Sequence, residues 1–205
     1  PELSERDPHR RVRHEVDQLL DLVSLAGARE RVEKLRLDIT DEDRNAVNFL
    51  PKDPIVFHLG KRWFQSGSTL ESTLELIGGL HRFDRPIVVT HGSDTERYVA
   101  AISESRAADI VLGGLAFYRW AAVFQRARVV VTVDTGATHV ASAMRRPVVV
   151  AFEHRYFRLN SQEWPPYKVP SVLVRKPENE EAHSLAQFRD EVLNGVETLL
   201  ASPRA

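Results

Sequence analysis

The segment Val133-Asp134-Thr135-Gly136-Ala137-Thr138-His139 is the part of the chain best suited to chemistry, because an apolar run breaks directly into Asp-Thr-Gly and then into a small-residue helical pattern. The first turn of a helix leaves backbone amides without intrahelical partners, and these concentrate partial positive charge at its start. Gly136 permits close approach of a ligand to that backbone, so a phosphate or diphosphate is well accommodated there. The same residues also fit a plain structural role, in which Asp134 or Thr135 caps the helix and Gly136 serves the turn. His139 is open to two readings as well, a hydrogen-bond donor near phosphate or a satisfied structural histidine. Asp-Thr-Gly is also the signature of aspartic proteases, where two such loops share a proton. One loop is present here, so a dimeric aspartic protease is the remote alternative, and the flanking α/β pattern argues against that all-β fold.

Two further polar residues follow apolar runs. Lys61, in Gly60-Lys61-Arg62-Trp63, comes just after Ile55-Val56-Phe57-His58-Leu59; a lysine in that place neutralises phosphate as a point charge, although most loop lysines are simply solvated. Glu96 closes Thr90-His91-Gly92-Ser93-Asp94-Thr95-Glu96. Its carboxylate is able to accept hydrogen bonds from both hydroxyls of a ribose, or only to place negative charge at a helix start. The eight histidines are scattered without His-Glu-x-x-His spacing and there is no cysteine. Thiolate zinc sites, disulfides and cysteine nucleophiles are thereby excluded, and the expectation is no metal and no cofactor.

The elements that must position these residues alternate. Short β-branched runs at 55–59, 86–90, 110–112, 129–133, 148–150 and 172–174 are separated by helical patterns near 69–80, 94–105 and 115–126 and by a short one after Gly136. The strands are continuous apolar runs, as expected when both sheet faces are covered, which predicts an α/β fold with a doubly wound, mostly parallel sheet. Residues 184–200, with Leu185, Phe188, Val192, Val196 and Leu199 at helical spacing, predict a closing amphipathic helix. An amino-terminal helix is expected over residues 12–25, an edge strand over 35–39, and a long loop over 153–170 that contains Trp164-Pro165-Pro166-Tyr167. In open α/β sheets, ligands bind beyond the carboxyl ends of the strands.

The 205 residues are 28% charged and 42% hydrophobic, enough for one large domain or two small ones. A formal charge of -1 leaves no global field to recruit nucleic acid or anionic lipid, so an anion site must be local. No apolar run approaches the roughly 18 residues of a membrane span. The absence of cysteine suits a cytoplasmic setting. The basic run His9-Arg10-Arg11-Val12-Arg13-His14 is either a contact for anionic lipid or a solvated helix face. The chain begins at Pro1 rather than at a methionine, and a fragment or processed product is expected.

Taken in order, Lys61-x-Trp63, Gly92-x-x-x-Glu96 and Asp134-Thr135-Gly136-x-x-His139, followed by Ala141-x-Ala143 and Pro147-Val148-Val149-Val150, resemble glycosyltransferase family 9, the heptosyltransferases of lipopolysaccharide assembly. The resemblance runs from about His14 to the carboxyl terminus. It implies the carboxyl-terminal, Rossmann-like half of a GT-B fold, with residues 1–50 as interdomain connection and 51–205 as the domain that binds a nucleotide-sugar donor. By motif, Lys61 would contact donor phosphate and Glu96 the ribose. Asp134, Thr135, Gly136 and His139 would surround the diphosphate and sugar, and Gly113-Gly114-Leu115 would correspond by position to the nucleobase pocket. The resemblance further implies inverting transfer, without metal, from an ADP-heptose-like nucleoside diphosphate sugar to a cell-envelope glycolipid. The acceptor site and the catalytic base are expected in an amino-terminal domain outside this chain, and a peripheral contact with a bacterial inner membrane is expected of the whole. A non-catalytic nucleotide-sugar binding module is the alternative. One departure is clear: where the family continues into Phe-Gly-Pro, this chain has Phe152-Glu153-His154.

Overall fold

The structure, a computed structural model, describes residues 12–65 and 67–203. His9, Arg10 and Arg11 of the basic run lie outside the described residues. The fold is built on strands β1 (Ile55–Leu59), β2 (Ile87–His91), β3 (Ile110–Leu112), β4 (Val129–Val133), β5 (Val148–Phe152) and β6 (Ser171–Arg175). They form one sheet in the order β3-β2-β1-β4-β5-β6, and every pairing is parallel. The chain winds outward from β1 in one direction and from β4 in the other, so the gap between β1 and β4 is the topological switch point of a Rossmann-like sheet.

Period-two alternation divides each strand between two cores. Ile55, Phe57, Leu59, Val129, Val131 and Val133 point to one face, where they meet helices α3 (Leu70–Gly79) and α8 (Ala182–Ala201). Val56, Val130, Val148 and Val150 point to the other, against α5 (Phe117–Arg126) and α6 (Gly136–Ala143). Helix α8 closes the first face with Phe188, Val192, Val196 and Leu199 buried, as its spacing predicts. Thr69 and Ser72 cap α3 reciprocally, each side chain bonding the other's backbone amide, which fixes where the helix begins after the β1 loop.

Two expected elements differ. Residues 35–39 form no strand, and the sheet edges are β3 and β6. Their alternation has another cause: Leu37 and Ile39 pack into the second core while Arg36 and Asp38 face solvent, so the apolar face is satisfied by side chains without backbone pairing. Residues 153–170 are not one loop, since they contain a turn of 3₁₀ helix (His154–Tyr156) and helix α7 (Phe157–Glu163). The amino-terminal helix α1 (Glu15–Leu25) buries none of its residues. Polar contacts hold it instead: His14 Nε2 lies 2.8 Å from Pro165 O, and the Tyr167 hydroxyl donates to Asp17 at 2.8 Å. Arg13 of the basic run pairs with Asp21 at 2.6 Å, as a solvated helix face does. The short helices α2 (Asp41–Ala46) and α4 (Val99–Ser105) complete the described fold, and none of its helices is long and apolar enough to cross a membrane.

Candidate functional site

The switch point brings together the loops after β1 and β4. Gly60 leads from β1 into a 3₁₀ turn over Lys61–Phe64, and its backbone lies so near β4 that an added Cβ would sit 3.3 Å from both Val133 and Thr135. Trp63 is buried and anchors the turn by donating its indole N–H to His58 O at 2.9 Å while stacking on Phe57. Lys61 is thereby left exposed on the outer side. Arg62 crosses the crevice and donates to the Asp134 carboxylate at 2.7 Å and to the Asp134 carbonyl at 2.6 Å. Asn160, from α7, donates to the same carboxylate oxygen at 3.1 Å. Asp134 is mostly buried and acts as a fastener between three elements rather than as a helix cap.

Thr135 is the cap of α6. Its hydroxyl accepts from Ala137 N at 3.4 Å and its carbonyl from Thr138 N at 3.0 Å, so two amides of the first turn are already engaged. Gly136 is exposed, and a Cβ built on it would meet no protein atom within 4 Å. The opening expected at this turn is therefore at Gly136. His139 stands one turn further, half-buried, with its ring edge-on to Trp164 at 5.8 Å between centroids. Burial pulls its pKa below that of an ordinary histidine; nearby Asp134 opposes the shift and His14 adds to it.

A second concavity of about 510 Å³ lies beside this notch over the ends of β1, β2 and β3, with walls from His58, His91, Leu115, Phe117 and Trp120 and rims from Gly92 and Gly114. Leu115 lines it directly. Gly113 acts from behind, because a Cβ there would fall 2.1 Å from the His91 ring, so its small size makes room for that wall. Glu96 sits on the rim, 69% exposed, with its carboxylate 3.3 Å from His91 Nδ1. Thr95 beside it is buried and donates to Leu59 O at 2.8 Å, tying the β2 loop to the end of β1. Of the expected residues, Asp134, Thr135, Gly136 and His139 stand together at the start of α6, Leu115 lines the cavity, Glu96 and Gly113 meet its wall at His91, and Lys61 lies exposed on the turn after β1.

Burial lowers the pKa of His58 to about 4, with His91 adding to the shift and Asp94 and the Thr90 contact opposing it. Its Nδ1 meets Thr90 Oγ1 at 3.0 Å and its ring packs on Trp120 at 5.0 Å. An unfolded histidine takes up its proton near pH 6.5 while the folded one resists to about 4. Above pH 6.5 both forms are neutral and the contact is fully retained; as pH falls through this window the unfolded state gains protons first and stability declines, by up to about 3 kcal/mol in all. Urea unfolding of wild type and His58→Gln between pH 7 and 4 should show the smaller loss in the variant.

Several residues of the site escape a reading by motif. Arg62 was adjacent to the expected lysine, but nothing local distinguishes which of two successive cations crosses the crevice. Asn160 lies in the segment expected to be a loop. Lys176 follows β6 and is completely buried, paired with Glu153 at 2.9 Å. The only available signal was the oddity of a carboxylate at position 153. Among the described residues no cluster of three or more His, Cys, Asp or Glu side chains is arranged to hold a metal ion.

Comparison with known proteins bears on the family and the fold. The sequence profile of glycosyltransferase family 9 (heptosyltransferase) matches residues 60–191, more than half of the chain. Comparison with curated proteins returns no match. Among solved structures, the family 9 glycosyl transferase from Veillonella parvula DSM 2008 superposes with a TM-score of 0.75 at 19% identity, over 95% of this chain and 62% of that one. E. coli heptosyltransferase WaaC with ADP gives a TM-score of 0.67 at 20% identity, over 93% and 58%. E. coli ADP-heptose lps heptosyltransferase II gives 0.62 at 20% identity, over 80% and 53%. The chain spans less than two thirds of the length of each of these structures. The likeness is one of fold, that of GT-B glycosyltransferases, and with the profile match it leads to one conclusion: the chain belongs to glycosyltransferase family 9 (heptosyltransferase).

Proposed function

We propose that this chain forms the donor-binding half of a glycosyltransferase that takes a sugar from a nucleoside diphosphate. The observation that carries the reading is that an aromatic-walled cavity over β1, β2 and β3 and the exposed Gly136 at the start of α6, tied to the Lys61–Phe64 turn through Arg62 and Asp134, lie at the same ends of the strands. A nucleobase stacks in the first, a ribose bridges at Glu96, and a diphosphate occupies the second. His139 is held neutral by burial and serves as a hydrogen-bond donor rather than as a fixed charge. When the sugar departs with inversion, negative charge accumulates on the leaving diphosphate, and Lys61 and the start of α6 stabilise it, with Arg62 joining only as it leaves Asp134. Arg62 is already occupied by Asp134, so the donor competes for it while Lys61 is immediately accessible.

ADP is the first nucleotide to test, since the WaaC structures of this fold hold ADP and an ADP-2-deoxy-2-fluoro heptose. An ADP-heptose-like donor follows as the proposed substrate. Residues 51–205 are proposed as the donor unit and 1–50 as its connection. Transfer to a cell-envelope glycolipid, in a bacterial cytoplasm at the inner membrane, is the proposed setting of the whole protein's activity. Isothermal titration with ADP, UDP and GDP should detect binding of at least one. A folded sample that binds none of them at millimolar concentration rules the reading out. Lys61→Ala should weaken the complex by about 1 to 3 kcal/mol. Glu96→Ala should weaken binding of a ribonucleotide but leave its 2′,3′-dideoxy analogue unaffected; parallel losses for both would remove Glu96 from the ribose.

A further inference from the structure

The Lys176–Glu153 pair lies below the notch and is not part of any motif in the donor reading. The Lys176 side chain is 0% exposed and its ammonium meets three acceptors: Arg62 O at 2.5 Å, Gln65 O, and Glu153 Oε1 at 2.9 Å. Three protons and three acceptors leave the ammonium fully used. Two of those acceptors are backbone carbonyls of the segment that carries Lys61 and Arg62. Neutralising Glu153 therefore accounts for only one of the three bonds. Among the described residues Glu153 Oε2 is buried without a partner, so the pair carries an unsatisfied oxygen into the interior.

Just beyond this segment the backbone also passes close to the residue after Lys176. Gly67 has φ +67°, and a Cβ there would fall 2.3 Å from Pro177 O. The loop that leaves β1 at Gly60 thus runs across to the residues just beyond β6, at the far edge of the sheet, and meets them at both Lys176 and Pro177. Where Lys176 holds the Arg62 carbonyl, the Arg62 guanidinium is directed onto Asp134.

We propose that Lys176, backed by Glu153, is a positioning residue that moors the Lys61–Gln65 segment across the crevice and thereby sets affinity for the diphosphate but not for the nucleoside. The inference rests on the donor reading above. Its physical basis is preorganisation: a loop held in its binding geometry spends no ordering entropy when phosphate arrives. It also explains Glu153, whose carboxylate stands where the family pattern has glycine and compensates the buried ammonium.

The test is the double variant Lys176→Met/Glu153→Leu, which removes both charges together so that neither is left buried alone. With fold checked by circular dichroism, its dissociation constant for ADP should rise tenfold or more while that for adenosine stays within twofold. Unchanged ADP affinity overturns the proposal, and so does an equal loss for ADP and adenosine, which a merely structural role would produce. Should the double variant not fold, Gly67→Ala loosens the other mooring without touching a buried charge. It should show the same selective loss, and equal affinities in that variant overturn the proposal. Should the wild type bind no ADP, UDP or GDP, the donor reading and the affinity claim fall together. The mooring is then judged by hydrogen exchange at residues 61–65, which should quicken tenfold in the folded variants; unchanged exchange overturns it.

Discussion

Gly136→Val should strongly weaken diphosphate binding while leaving the fold intact. A Cβ added at this position meets nothing within 4 Å apart from its chain neighbours and its own helix backbone, and the residue is exposed, so the substitution begins without a clash. Gly136 is the first residue of α6 and does not have positive φ, so a β-branched residue is conformationally admissible there. What the side chain does exclude is the phosphate that must approach the start of the helix. We expect a rise of about 100-fold in the ADP dissociation constant, equivalent to about 3 kcal/mol, with a stability change within about 0.5 kcal/mol as for other exposed positions. Gly136→Ala should fall between. Titration calorimetry on the variants alongside thermal melts separates the two effects. Full binding by a folded Gly136→Val protein would move the diphosphate away from this turn.

The largest effect on stability is expected from Lys176→Met. Methionine matches the aliphatic stem but supplies no proton, so the Arg62 and Gln65 carbonyls lose their donor and the Glu153 carboxylate, already with one orphan oxygen, is left as an unpaired buried charge. Breaking such a pair by removing one partner costs about 3 to 5 kcal/mol, a large part of the stability of an ordinary domain. Adding Glu153→Leu should restore most of that loss. Denaturant unfolding of the single and double variants measures the coupling directly: if the double variant is as unstable as the single one, the uncompensated carboxylate is not the cause.

The two expectations draw on different kinds of information. Gly136 was legible as a candidate because its signal is local: an apolar strand, a glycine and a small-residue helix in immediate succession. Lys176 was not. It bonds Arg62, 114 positions away, and Glu153, 23 positions away, and neither spacing corresponds to any helix or strand period. The strand at 35–39 failed for a related reason. Its alternation is real, but alternation reports that one face is covered without reporting whether a strand or a helix layer covers it. The helix inside 153–170 was hidden by the prolines and aromatics at its end, although Asn160 on that helix proves to be one of the partners of Asp134.

By itself the amino-acid sequence determined the sheet's strands, their parallel sense, the helices between them except α7, and the polar residues at their carboxyl ends, because propensity and hydrophobic period act over neighbours a few residues apart. Only the tertiary structure decided that β1 and β4 stand side by side, that Arg62 rather than Lys61 reaches across to Asp134, and that a buried ion pair beyond β5 and β6 holds the loop after β1. Those contacts join residues distant in the chain. Their partners are chosen by strand order, which no local pattern encodes.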